Sequence, residues 1–227
     1  MKYYNDFIIE KLKEKGISIV GFADLSNIDY KSRRGLKYGI VIAKTVNKEI
    51  LINIGNKVSM DYYNEVNRLN DILKDSSRYL EKAIILEGFK AFSQADIKQD
   101  ERFTTPLPFK TVATNAGLGW IGKSATLITE KYGNAIRLNT VLTDMPFLCG
   151  TPITESKCGN CTRCVDRCPA GAIKGIKWNV NVSRNDLIDP KMCKEKVIER
   201  GKEFNILWGS CDNCLMSCPY TIKYINS

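Results

Sequence analysis

Eight of the nine cysteines in this 227-residue chain fall into two sets with the spacing of iron–sulfur ligands. The first is Cys158-Gly-Asn-Cys161-Thr-Arg-Cys164-Val-Asp-Arg-Cys168-Pro169, a C-x2-C-x2-C-x3-C-P run. One tight loop can aim the first three thiolates at one face of a [4Fe–4S] cubane. The fourth points away, and in two-cluster ferredoxins it ligates the other cluster. Such a run therefore requires a second set. Cys193 stands alone, and Cys211-x2-Cys214-x3-Cys218-Pro219 follows. Crossed ligation assigns Cys158, Cys161, Cys164 and Cys218 to one cluster, and Cys168, Cys193, Cys211 and Cys214 to the other. Cys193 is included by count, since its spacing to Cys211 is loose. Cys149 is left over and reads as a buried apolar filler.

Zinc and disulfides are the competing uses of cysteine. Zinc favours paired C-x2-C knuckles, often with histidine; this chain has no histidine and two Cys-Pro endings. Disulfides need an oxidising compartment, and the opening Met1-Lys-Tyr-Tyr-Asn-Asp lacks the apolar stretch of a signal peptide. The expectation is a cytoplasmic protein. No run of 18 apolar residues suggests a membrane span. The lack of histidine also removes Ser–His and Cys–His catalysis, leaving acid–base work to Asp, Glu, Tyr, Lys or Cys.

The formal net charge of +9 raises nucleic acid as a partner. Two clusters at about −2 each would bring this to roughly +5. The excess is also spread along the chain: 22 basic against 17 acidic residues in 1–150, and 12 against 8 in the rest. A solvated Lys-rich surface accounts for it.

A second stretch could touch a cofactor: Gly117-Leu-Gly119-Trp120-Ile-Gly122-Lys123. It fits G-x-G-x-x-G, but a dinucleotide loop needs a strand before it and a helix opening within it. Here a helix-like Lys110–Asn115 precedes and the apolar Leu127-Ile-Thr follows. A glycine loop that lets backbone approach a bulky ligand, and a purely structural turn, both remain.

The elements around these motifs follow from periodicity. Residues 3–15 read as an amphipathic helix ended by Gly16, and 18–23 as a short strand. Residues 24–37 read as a loop. Tyr38-Gly-Ile-Val-Ile-Ala43 is a continuous apolar run, expected as a buried central strand. Residues 44–57 carry no clear pattern. Tyr62, Val66, Leu69, Leu73 and Leu80 form a helical stripe over 59–83, with Ser59 as N-cap. Phe89 to Phe92 reads as a strand, 94–110 as loop, Ile136 to Leu142 as an alternating strand, 145–156 as connector and Trp178 to Pro190 as polar surface loop. The division this suggests is 1–150 and 151–227.

From Gly117 to Lys123 and through both cysteine sets, the sequence resembles the epoxyqueuosine reductase family, itself related to the reductive dehalogenases. Leu142-Thr-Asp144, Cys158-Gly-Asn-Cys161 and Gly209-Ser-Cys211-Asp-Asn-Cys214 share in the resemblance. It is specific from about Lys110 to Pro219 and implies a short form without the helical-repeat tail of longer members. It implies an α+β protein: an N-terminal α/β cobalamin-reductase-like domain that cradles a base-off corrin, then a ferredoxin-like domain with two [4Fe–4S] clusters. It places Gly117, Gly119, Trp120, Gly122 and Lys123 against the corrin. Where the family carries an Asp-Thr-Gly-Pro segment with its proton donor, this chain has Phe103-Thr-Thr-Pro-Leu-Pro-Phe109; Asp100 and Glu101 are near but do not match.

The functional expectation is an oxidoreductase. Electrons from a ferredoxin or flavodoxin would pass through two clusters to a substrate site, with cobalamin as a candidate cofactor, a small molecule or modified nucleoside as candidate substrate, and tRNA as a candidate partner. The alternative is a ferredoxin-like electron-transfer module serving a partner protein.

Overall fold

The computed structural model describes residues 3–54, 58–206 and 211–227. Gly209 and Ser210 of the resemblance motif lie outside them. In chain order the elements are helix α1 (Asn5–Lys13), strands β1 (Ile19–Asp24) and β2 (Tyr38–Thr45), and helices α2 (Lys48–Ile52) and α3 (Met60–Leu86). Strand β3 (Ala91–Ser93), helix α4 (Phe109–Asn115) and strands β4 (Trp120–Ile121), β5 (Leu127–Ile128) and β6 (Ile136–Thr143) follow. The cysteine region holds short helices: α5 (Arg163–Asp166), α6 (Arg184–Leu187), α7 (Pro190–Gly201), α8 (Asn213–Met216) and α9 (Pro219–Ile225). Among the described residues no helix is long and apolar enough to cross a membrane.

Two compact units are built from alternating stretches of chain. One comprises Met1–Lys44, Leu69–Leu118 and Arg137–Ile153; the other comprises Thr45–Arg68, Gly119–Ile136 and Thr154–Ser227.

The first unit is organised on a four-stranded sheet in the order β1-β2-β6-β3. Strands β1 and β2 pair antiparallel from Ile19–Ala43 to Asp24–Tyr38, and β3 pairs antiparallel with β6. The apolar run of β2 is buried on both sides, because successive side chains point to opposite faces. Ile40 and Ile42 meet Ile8 and Leu12 of α1 and Leu73, Leu80 and Ile84 of α3 in one core. On the opposite face Gly21 and Gly39 make room: a Cβ on Gly39 would lie 2.6 Å from a methyl of Val112 in α4, and one on Gly21 would lie 3.0 Å from Ala116. Met145, Phe147 and half-buried Cys149 pack against the same core. Burial pushes the Cys149 thiol up to about 11, so it stays protonated.

Several boundaries differ from the expectation. Helix α3 runs on to Leu86, although Ile85 and Leu86 are exposed and add nothing to its apolar stripe. Its start is capped as expected, Ser59 Oγ accepting from Tyr62 N at 3.2 Å. The patternless stretch after β2 contains α2, where Asn47 Oδ1 accepts from Glu49 N. Residues 178–190, expected as polar surface loop, hold α6 and its Ser183–Asp186 capping box. Trp178, Leu187 and Ile188 are buried there.

The second unit has one two-stranded hairpin, β4–β5, and the short helices. Its last helix is held by side-chain bonds. Thr221 Oγ1 donates to Asn134 Oδ1 at 2.6 Å, and Tyr224 Oη donates to Val46 O at 3.0 Å.

Candidate metal centre

The first cysteine loop is shaped by local hydrogen bonds. Cys161 N donates to Cys158 O, and Gly159 between them has φ +55, which glycine adopts without a Cβ penalty. The chain then turns into α5, where Val165 N donates to Thr162 O and Thr162 Oγ1 donates to Asp166. Cys164 lies in that turn, and Cys168 leaves it as Cys168 N bonds Val165 O. Cys218 is the N-cap of α9, with Pro219 in the first helical position, where a missing N–H costs nothing. Cys193 sits in the first turn of α7, which Asp189 caps through Lys191 N and Met192 N. Cys214 lies in α8, and Cys211 just before it.

These elements bring several of the thiols together. Cys158, Cys161, Cys164, Cys214 and Cys218 line one pocket. Burial pushes the Cys164 thiol up to about 11, and Cys158, Cys161 and Cys218 add to the rise. The Cys218 thiol is also raised by burial, opposed by the Thr221 and Tyr220 backbone N–H groups at the start of α9. In the other group burial raises Cys193, with Cys211 and Cys168 next, and burial raises Cys211, with Cys168 adding. Cys214 is raised furthest, by burial and then by Cys211, Cys193, Cys164 and Cys168. It also lines the first cavity, so the two groups are close neighbours. All nine cysteines are free of disulfides. Among the described residues no three of these thiols are placed as a ready metal site, but five thiols border one void on loops whose backbone bonds are already made, and soft thiolate donors are what a [4Fe–4S] cluster takes.

The glycine stretch is closely packed by its own chain. Gly117 has φ +73, and a Cβ there would meet Thr151 O at 2.6 Å. A Cβ on Gly119 would overlap Ile128 O, and one on Gly122 would lie 2.8 Å from Ile128 and 3.6 Å from Cys158 Sγ. Trp120 is fully buried, its ring 5.0 Å from that of Tyr220, and its indole N–H has no acceptor among the described residues. Lys123 is 5% exposed and donates to Cys161 O at 2.8 Å. Gly122 and Lys123 thus line the thiol cavity. The space beside Gly117, Gly119 and Gly122 is filled by the protein itself, which accounts for these glycines by close packing.

Asp100 is held as a carboxylate. The backbone and side chain of Thr104 and the Arg102 side chain bring it down to about 2. Asp144 accepts from Lys90 N, and Thr143 donates to Lys90 O, pinning β6 to the start of β3. Sequence reasoning missed Ile128, Ser217 and Tyr220 as cavity residues. Only the Tyr220 position, directly after the Cys-Pro pair, carried a hint.

Fold and site together define a mixed α/β protein with a [4Fe–4S]-binding region. A family described as a 4Fe-4S double cluster binding domain matches residues 157–221. The epoxyqueuosine reductase of Listeria monocytogenes is 34% identical over 150 residues, covering 62% of this chain and 37% of that protein. A crystal structure of epoxyqueuosine reductase with a tRNA-Tyr epoxyqueuosine-modified stem loop matches at TM-score 0.64 and 20% identity, over 96% of this chain and 65% of that one. A reductive dehalogenase whose structure suggests a mechanism for B12-dependent dehalogenation matches at 0.67 and 16%, over 96% and 32%. The chain is thus epoxyqueuosine reductase-like, with a fold shared by reductive dehalogenases. The curated match spans little more than a third of its relative's length.

Proposed function

We propose that the chain is an iron–sulfur reductase holding two [4Fe–4S] clusters, one on Cys158, Cys161, Cys164 and Cys218, the other on Cys168, Cys193, Cys211 and Cys214. The observation that carries this is the meeting of Cys218 with the first three cysteines around one cavity, some fifty residues apart in sequence. Bound clusters would supply one-electron transfer at low potential. The chain's part is to supply thiolates, exclude water from them and fix their loops. Cys164 and Cys214 are raised mainly by burial, so each releases its proton as metal binds.

The α/β unit would carry the substrate end of the reaction. Likeness to epoxyqueuosine reductases supports a modified nucleoside, with tRNA as its carrier, and a ferredoxin or flavodoxin as donor. Residues 151–227 would form the ferredoxin-like domain and 1–150 the α/β domain, in the cytoplasm, where thiols stay reduced. Cobalamin enters through the likeness to the B12-dependent dehalogenase. Gly117 to Lys123 would be the stretch beside it, and no step is assigned to it.

A second reading has one observation in its favour. Lys157, Arg163 and Arg167 are exposed beside the thiols, as a docking face for an acidic partner protein would be. The clusters would then serve that partner.

Anaerobic reconstitution tests both. The expected protein holds about eight irons. Cys218→Ala should fall to about four, while Cys149→Ser should keep all eight. A wild-type count of four or fewer, or full loading of Cys218→Ala, overturns the crossed assignment. Titration with cob(II)alamin under EPR then decides the second point. A perturbed, base-off signal supports a corrinoid reductase. An unperturbed signal, with a donor rate that falls steeply as salt rises, supports the electron-transfer module.

A further inference from the structure

Lys123 lies in the β4–β5 turn, more than thirty residues before Cys158, yet it lines the thiol cavity at 5% exposure. One of its three N–H donors is used on Cys161 O. Among the described residues no carboxylate pairs with it. A buried ammonium with one carbonyl partner is costly unless a negative group lies nearby. The surroundings do not supply one from the polypeptide: Ile128, Pro219 and Tyr220 line the same wall. Gly122 shows how the lysine comes so close. Its missing Cβ lets the turn settle against Ile128 and the Cys158 sulfur, which brings the next residue to the thiols.

We infer that Lys123 is the built-in counter-ion of the cluster held by Cys158, Cys161, Cys164 and Cys218, and that its charge raises that cluster's reduction potential. This inference rests on the cluster assignment proposed above. An oxidised cluster with four thiolates carries about −2, and one electron from a reductant such as dithionite adds one more negative charge. A cation buried beside it favours the reduced form, and the low-dielectric wall leaves that attraction largely unscreened. The bond to Cys161 O fixes the ammonium on the ligand loop, so charge and ligand are set by one contact. Lys123 touches a cluster ligand and sets the cluster's electrostatics, so it is a positioning and tuning residue.

The test is an anaerobic redox titration of the whole chain, reading each cluster by EPR beside an iron count. In Lys123→Gln the side chain can still donate to Cys161 O but carries no charge. At a fixed potential, the reduced-to-oxidised ratio of one cluster should fall tenfold or more, a shift of at least 59 mV for a one-electron couple. The other cluster should move less. Lys123→Arg, which keeps the charge, should titrate like the wild type. Full iron with both clusters unmoved in Lys123→Gln overturns the inference and leaves the cluster reading intact. A wild-type chain without about eight irons overturns the cluster reading itself. If Lys123→Gln does not load, Lys123→Arg decides: a wild-type potential supports the inference, and a tenfold fall in the ratio overturns it.

Discussion

The two compact units are held together by different physics. In the first, twelve buried apolar side chains from α1, α3, the sheet and the connector after β6 form one cluster, and the two-sided burial of β2 lies at its centre. In the second, three of the helices have only four residues each, and the thiols sit on turns between them. Helices that short are not stable alone. The first unit follows the usual rule that buried apolar area offsets chain entropy. The second depends on side-chain bonds, caps and, in our reading, metal. A chain can thus carry a self-sufficient scaffold and a cofactor-dependent one interleaved in sequence.

Removing iron should break this symmetry most visibly. Anaerobic chelation is expected to bring amide exchange in 158–218 close to the rate of an open chain, while Ile40 to Ala43 stay protected. Equal loss of protection in both stretches would mean that the scaffold also depends on metal. A core truncation should act the other way. Leu80→Ala, at a fully buried site of the first unit, should cost about 2–5 kcal/mol in urea unfolding and leave the iron count unchanged. Lost iron in that variant would erase the distinction between the units. The smallest effect is expected at Asp100. Its carboxyl lies at about 2, below its ordinary value near 4, so its stabilising bonds are fully present above pH 4 and lost as pH falls through 2. Asp100→Asn should therefore be slightly less stable than wild type at pH 7 and equal to it near pH 2. A difference that persists in acid would show that the loop does not rely on the charge.

The parts legible in sequence were those with a strong local code. The apolar run Tyr38 to Ala43 became β2, and the stripe from Tyr62 to Leu80 became α3, because burial on a known face repeats at a known period. The cysteine spacing picked out Cys158, Cys161, Cys164 and Cys218, which share a cavity with Cys214, a thiol it had placed in the other group. Helix α2 was not legible, since five residues give too little periodicity and the Asn47 cap is its only marker. Trp178, Leu187 and Ile188 were hidden among polar neighbours, and their burial depends on bridges such as Ile173–Ile188. The glycine stretch was ambiguous for a related reason. A glycine needed for close approach looks the same in sequence whether the visitor is a cofactor or, as at Gly119, the carbonyl of Ile128.

The crossing of the two thiol groups has a consequence for how the molecule is made. Cys158, Cys161 and Cys164 emerge from the ribosome well before Cys218, and Cys168 well before Cys211 and Cys214. Neither group is complete until the final stretch of this sequence has been synthesised. During that interval the early thiols are exposed and unpartnered, open to oxidation or to stray metal. In the assignment proposed above, cluster insertion into such a chain would follow translation of the region.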